Sequence, residues 1–182
     1  MPPSASLPPR QLAALCAVAD ALAGAGARWV LAGSAGRALL GCPARPRDID
    51  LEVDPRDADA AAAALGAELA AAGGGGRSSR RVLAVRAGVE VDLTCDLAID
   101  GPGGRLAPDF ALQWERSHPV TAGGRAIRVA PLEEGVCRAV VLGDWAGVAR
   151  IAGQAARAPG GIRLSAAYVS ERLSPATASA TR

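Results

Sequence analysis

The sequence contains no lysine, and all 20 of its basic residues are arginine. That bias reflects GC-rich coding more than selection for forked phosphate recognition, so arginine abundance alone says little about function. With 18 acidic residues the formal charge is only +2. The arginines are scattered instead of forming a block that would track a phosphate backbone, so no extended nucleic-acid binding is expected. Aromatic side chains are scarce, three Trp, one Tyr and one Phe, and the core must be built from Leu, Val, Ile and Ala. The single histidine, His118, and four widely spaced cysteines, Cys16, Cys42, Cys95 and Cys137, without a C-x-x-C pair, argue against a thiolate zinc site and for reduced thiols. No apolar run approaches the roughly 18 residues that span a bilayer, and no early segment reads as a signal peptide. A cytoplasmic protein with no membrane partner is expected.

A chain of 182 residues has room for one catalytic domain. Residues 1–9, rich in Pro and Ser, read as a disordered lead-in. Leu12, Leu15, Val18, Ala19 and Leu22 give residues 10–23 helical spacing, and Gly24 and Gly26 end that helix. Residues 28–32 (RWVLA) form an apolar strand, Gly33-Ser34 a tight turn, and residues 35–40 a short helix. Residues 47–53 (RDIDLEV) alternate, which in a strand sends Ile49, Leu51 and Val53 inward and Asp48, Asp50 and Glu52 outward. Residues 56–72 read as an alanine-rich helix and 73–76 as a flexible poly-Gly loop. Two strands, 80–86 and 89–94, form a hairpin at Ala87-Gly88. The second alternates again, with Glu90, Asp92 and Thr94 outward. Residues 96–107 read as a Gly/Pro loop, 120–129 as a hairpin around Gly123-Gly124, and 131–142 and 143–156 as helices. The expected organisation is a domain over 10–130, a helical element over 131–158 packed on it, and a flexible tail over 159–182.

Asp48 and Asp50 lie two residues apart on one strand face, close enough to share a hard divalent cation, and Asp92 can join them if its strand pairs alongside. Three carboxylates around metal suit phosphoryl or nucleotidyl transfer. The pair by itself reads more simply as the solvated face of an edge strand, and alone it decides nothing. Gly33-Ser34, a small-residue turn between strand and helix, lets backbone N–H groups approach a phosphate.

Taken together, Leu31-Ala32-Gly33-Ser34, Asp48-Ile49-Asp50-Leu51 and Val91-Asp92-Leu93 resemble the polymerase-beta-type nucleotidyltransferase superfamily. Ala38-Leu39-Leu40-Gly41 and Arg45-Pro46-Arg47-Asp48 look like segments of its antibiotic-modifying and CCA-adding members, and the Ser34 form of the turn also resembles minimal nucleotidyltransferases that accompany toxin partners. Ala38 in place of an acid, with no long helical tRNA-binding body following, disfavours CCA addition.

The resemblance implies an α+β fold, a mixed sheet with helices packed on one side and a short helical C-terminal part. It implies Mg²⁺ or Mn²⁺ held by Asp48, Asp50 and Asp92, and a nucleoside triphosphate held by Gly33, Ser34, Arg37 and Arg47. Its activity would be transfer of AMP to a hydroxyl of a small-molecule or protein acceptor. The rival is an antitoxin-like, non-catalytic member that binds a partner protein. Arg45 is a further phosphate candidate and Glu90 the rival of Asp92 as third carboxylate. Arg80 and Arg81 are expected to be exposed, His118 to be structural in a loop, and Trp114 and Trp145 to fill core volume.

Overall fold

The computed structural model describes residues 7–174. Most of the expected lead-in and the end of the expected tail therefore lie outside the described residues. Helix α1 (Pro9–Gly24) opens the chain, followed by β1 (Trp29–Leu31), α2 (Gly33–Leu39), β2 (Ile49–Val53) and α3 (Ala58–Ala64). Strands β3 (Ala70–Gly74), β4 (Arg77–Arg86), β5 (Val89–Gly101) and β6 (Gly104–Leu106) follow, then α4 (Phe110–Glu115), β7 (His118–Ala122) and β8 (Arg125–Val129). Three helices, α5 (Leu132–Val141), α6 (Trp145–Arg157) and α7 (Ala166–Leu173), complete the described chain.

The eight strands form one mixed sheet in the order β3-β4-β5-β2-β1-β8-β7, with β6 added to β5. At its centre β2 runs parallel to β5, while β1 is antiparallel to β2 and parallel to β8. The alternation along β2 and β5 buries Ile49, Leu51, Val53, Val91 and Leu93 against Leu15, Val18 and Leu22 of α1. These three α1 residues recur at the three-to-four residue spacing that gives a helix one apolar face. The opposite sheet face carries the acidic rank. Helix α5 covers part of it, with Cys137 and Val141 packed on Ile99 and Leu106, and Phe110 and Trp114 of α4 lie on Val30, Ala32 and Ala130.

Several segments depart from the expected outline. The alanine run over 56–72 is not one helix: α3 stops at Ala64, and Ala70–Gly74 becomes edge strand β3, paired with Arg77 to Arg81 of β4. Small side chains satisfy either conformation, and the ladder on β4 decides. The poly-Gly stretch is a tight hairpin, because Gly75 and Gly76 both hold the positive φ (56° and 75°) that a two-residue turn between twisted strands requires. Residues 96–107, expected as a loop, extend β5 to Gly101 and return as β6. Asp109 then caps α4 by accepting from the Leu112 N–H. Where a flexible tail is expected, α7 docks with Tyr168 and Arg172 buried. His118 begins β7 instead of lying in a loop, and Trp145, expected in the core, is 67% exposed at the start of α6.

Candidate active site

The parallel register of β2 and β5 sets Asp50 directly beside Asp92, with Glu52 beside Thr94 one step further along the same face. Burial is the main reason that Asp50 holds its proton up to about pH 6, and the negative charges of Asp48 and then Asp92 add to it. Asp50 therefore feels both neighbouring carboxylates, and that repulsion is the kind a divalent cation relieves.

At the end of β1 the chain turns into α2 at Gly33, whose φ is +60°. A Cβ at Gly33 would land on the Asp50 carboxylate, so only glycine lets the turn lie against this side chain. The Ala32 N–H donates to the Asp50 carbonyl (2.8 Å), tying the turn to β2. Gly36, one turn on, brings α2 onto β1 and β8, where a Cβ would meet the Leu31 carbonyl oxygen at 2.9 Å.

Gly33, Asp50, Asp92, Arg77, Arg81 and Arg138 are among the residues that line a groove of about 490 Å³. Ser34, Asp48 and Arg47 are not among its lining residues. Arg37 lies one step away, lining an adjoining cavity of about 230 Å³ that shares Gly33, Glu52, Arg77 and Arg138 with the groove. Arg45 and Arg47 are exposed. Glu90 is exposed opposite Val85, two residues along β5 from Asp92.

Arg81, expected to be exposed, is instead paired. Its Nε and Nη2 donate to the two oxygens of Asp92, each at 2.6 Å. Among the described residues no three His, Cys, Asp or Glu side chains converge closely enough to hold a metal ion. The donor set of Asp48, Asp50 and Asp92, all hard oxygens, nonetheless has the chemistry that Mg²⁺ or Mn²⁺ takes.

Glu52 points to the same face as Asp50, as the alternation predicts, yet it is buried. Arg138 of α5 pairs with it, and Gln113 of α4 donates an N–H to its other oxygen at 3.0 Å. Burial disfavours charge on Arg138, but the neighbouring Glu52 and Glu134 carboxylates outweigh it and hold the guanidinium protonated. These partners, 61 and 86 residues away in sequence, carry no local motif. A cation next to an invading acidic rank is visible only once the helices are placed. Trp114 is capped by the Arg128 guanidinium 4.4 Å from its ring centroid and is not among the groove's lining residues.

A family model described as Aminoglycoside-2''-adenylyltransferase matches residues 14–136, which include the Gly33 turn, all three carboxylates and Glu52. Among solved structures, a Thermotoga maritima protein assigned as a nucleotidyltransferase superposes with a TM-score of 0.61 at 23% identity, covering 70% of this chain and 81% of its own. That likeness is one of fold. A nucleotidyltransferase-like antigenic protein of Paracoccidioides brasiliensis matches at 18% identity and a TM-score of 0.43, over 82% of this chain and 78% of its own. No curated protein matches the chain.

Proposed function

The chain belongs to the aminoglycoside-2''-adenylyltransferase family, and we propose that it transfers AMP from ATP to a hydroxyl group of an aminoglycoside, releasing pyrophosphate. One observation carries the reading: Asp50 and Asp92 sit side by side across two parallel strands, in a groove that the Gly33 turn helps to line.

Asp48, Asp50 and Asp92 would hold Mg²⁺ or Mn²⁺, which when bound supplies neutralisation of the triphosphate and of charge developing in the transition state. The remaining work falls to the protein. The Gly33-Ser34 turn offers backbone N–H groups to phosphate oxygens, with Arg37 and Arg47 as further cationic donors. Asp92, oriented by the Arg81 fork, would accept the proton of the acceptor hydroxyl as its oxygen attacks the α-phosphorus. The bond from the α-phosphorus to the bridging oxygen breaks, and pyrophosphate leaves with that electron pair. Arg138 and Gln113 each engage one oxygen of Glu52, which fixes that side chain two residues along β2 from Asp50.

The test is incubation with α-labelled ATP and Mg²⁺ or Mn²⁺ against a panel of aminoglycosides, with Asp50→Asn as control. Label on an aminoglycoside, lost in the control, is expected. Label on none of the panel, with wild type shown to bind ATP, would overturn the acceptor assignment. Failure to bind ATP would overturn the reading itself.

A further inference from the structure

The cavity of about 230 Å³ next to the carboxylate groove brings together two arginines from distant elements, Arg37 of α2 and Arg150 of α6. Among the described residues neither makes an ion pair or a side-chain hydrogen bond, and the buried Nε of Arg37 has no partner. Burial, and after it the charge of Arg150, which is itself exposed, make Arg37 easier to deprotonate than a free guanidinium, the mark of a half-buried cation with a like charge nearby.

Two of the three carboxylates lining the same cavity, Glu52 and Glu134, are already paired with other cations. Glu52 is taken by Arg138 and Gln113, Glu134 by Arg172 and Tyr168, and Asp144 accepts from the Gly147 N–H at the start of α6 (2.8 Å). A further cation, Arg77, also lines the space. Asp144 keeps its charge, but Arg37, Arg77 and Arg150 outnumber it, so net positive charge stands beside the Asp50–Asp92 groove, and an elongated anion with metal at one end would satisfy both.

We propose that Arg37 and Arg150 form a two-arginine site for the terminal phosphates of the nucleoside triphosphate, and so for the pyrophosphate released. The cavity shares Gly33, Arg77 and Arg138 with the Asp50–Asp92 groove, so a triphosphate whose α-phosphate lies at the carboxylates runs directly into it. Arg150 lies beyond residues 14–136, the segment that the family model matches. Its role is a contribution of the C-terminal helices, which close the nucleotide site from the side opposite the sheet. The inference rests on the nucleotide-transfer reading for the identity of the anion, but the anion site itself can be tested without any transfer.

The experiment is calorimetric titration of wild type, Arg150→Gln and Arg150→Lys with inorganic pyrophosphate, ATP and AMP, each with Mg²⁺, alongside thermal melting without ligand. Arg150→Gln is expected to weaken pyrophosphate and ATP by on the order of tenfold or more, and to leave AMP within about twofold. Its ligand-free melting temperature should be unchanged or raised, because a like-charge contact has been removed, and Arg150→Lys should recover part of the affinity. A folded Arg150→Gln that binds pyrophosphate as wild type does would overturn the proposal, even if aminoglycoside transfer is observed. Wild type that binds pyrophosphate through Arg150 yet transfers nothing would uphold the anion site while the function fails.

Discussion

At the residue scale the site is held under electrostatic load, and Asp50 carries most of it. Its folded-state pKa of about 6 lies above the ordinary 3.8, so between those values the native protein binds a proton more tightly than the unfolded chain. Ionising Asp50 therefore lowers stability as pH rises through this window, and the whole cost is present above it. Two pKa units correspond to about 3 kcal/mol, an order-of-magnitude ceiling for a half-buried group. Asp50→Asn is expected to be more stable than wild type by about 2 kcal/mol at pH 7.5 without divalent metal, with the gap closing near pH 4. Urea denaturation at the two pH values checks this, and equal stability at pH 7.5 would show that the Asp50 charge is not strained. The same variant should lose transfer activity, the trade expected where a functional charge is kept against the preference of the fold. Gly33→Ala is the complementary change, since its Cβ would displace the Asp50 carboxylate at a positive φ.

At the element scale the buried ion pairs tie the C-terminal helices to the sheet. Glu134 of α5 is buried and is satisfied by Arg172 and Tyr168 of α7, with Arg138 a further 3.8 Å away. Arg172→Ala would leave that carboxylate short of its main counter-ion, and an expected loss of about 3 kcal/mol follows from breaking a buried pair. Replacing both partners by apolar residues, Glu134→Leu with Arg172→Met, should recover much of it. A chemical-denaturation series over the two singles and the double checks the coupling, and additive losses would mean that the pair does not hold α7. This docking also explains what was legible in the sequence. Alternation exposed β2 and β5, and spacing exposed α1, because their burial is set by local period. The ends were not legible: Tyr168 and Arg172 carry no pattern until Glu134 is opposite them, and Ala70–Ala72 favour a helix locally until β4 offers a ladder. In the site, Asp50 and Asp92 could be paired in advance by their apolar flanks. The Arg81 fork on Asp92 and the Arg138 counter-charge on Glu52 could not, since each depends on register or on helix placement.

At the scale of the whole molecule, chemistry and closure come from different parts of the chain. The central parallel strands present the carboxylates on one sheet face, and α5 and α6 enclose the far side of the space in front of Gly33. Position on that face should then decide what each acid does. Asp92 sits beside Asp50 and in the groove, whereas Glu90 shares its strand face but is exposed opposite Val85. If Asp92 takes the acceptor proton, Asp92→Asn should lower kcat by about a hundredfold to ten-thousandfold, the usual contribution of a general base, with ATP affinity within a few-fold. Glu90→Gln should leave kcat within about twofold. Steady-state transfer with the acceptor identified by the labelling assay reads kcat, and titration with ATP reads binding, so the two effects separate. Loss of ATP affinity in Asp92→Asn in parallel with kcat would make Asp92 a binding residue alone. Full activity in Asp92→Asn beside a dead Glu90→Gln would move the third carboxylate two residues along β5, out of the groove, and the transfer mechanism drawn from the Asp50–Asp92 pairing would fall with it.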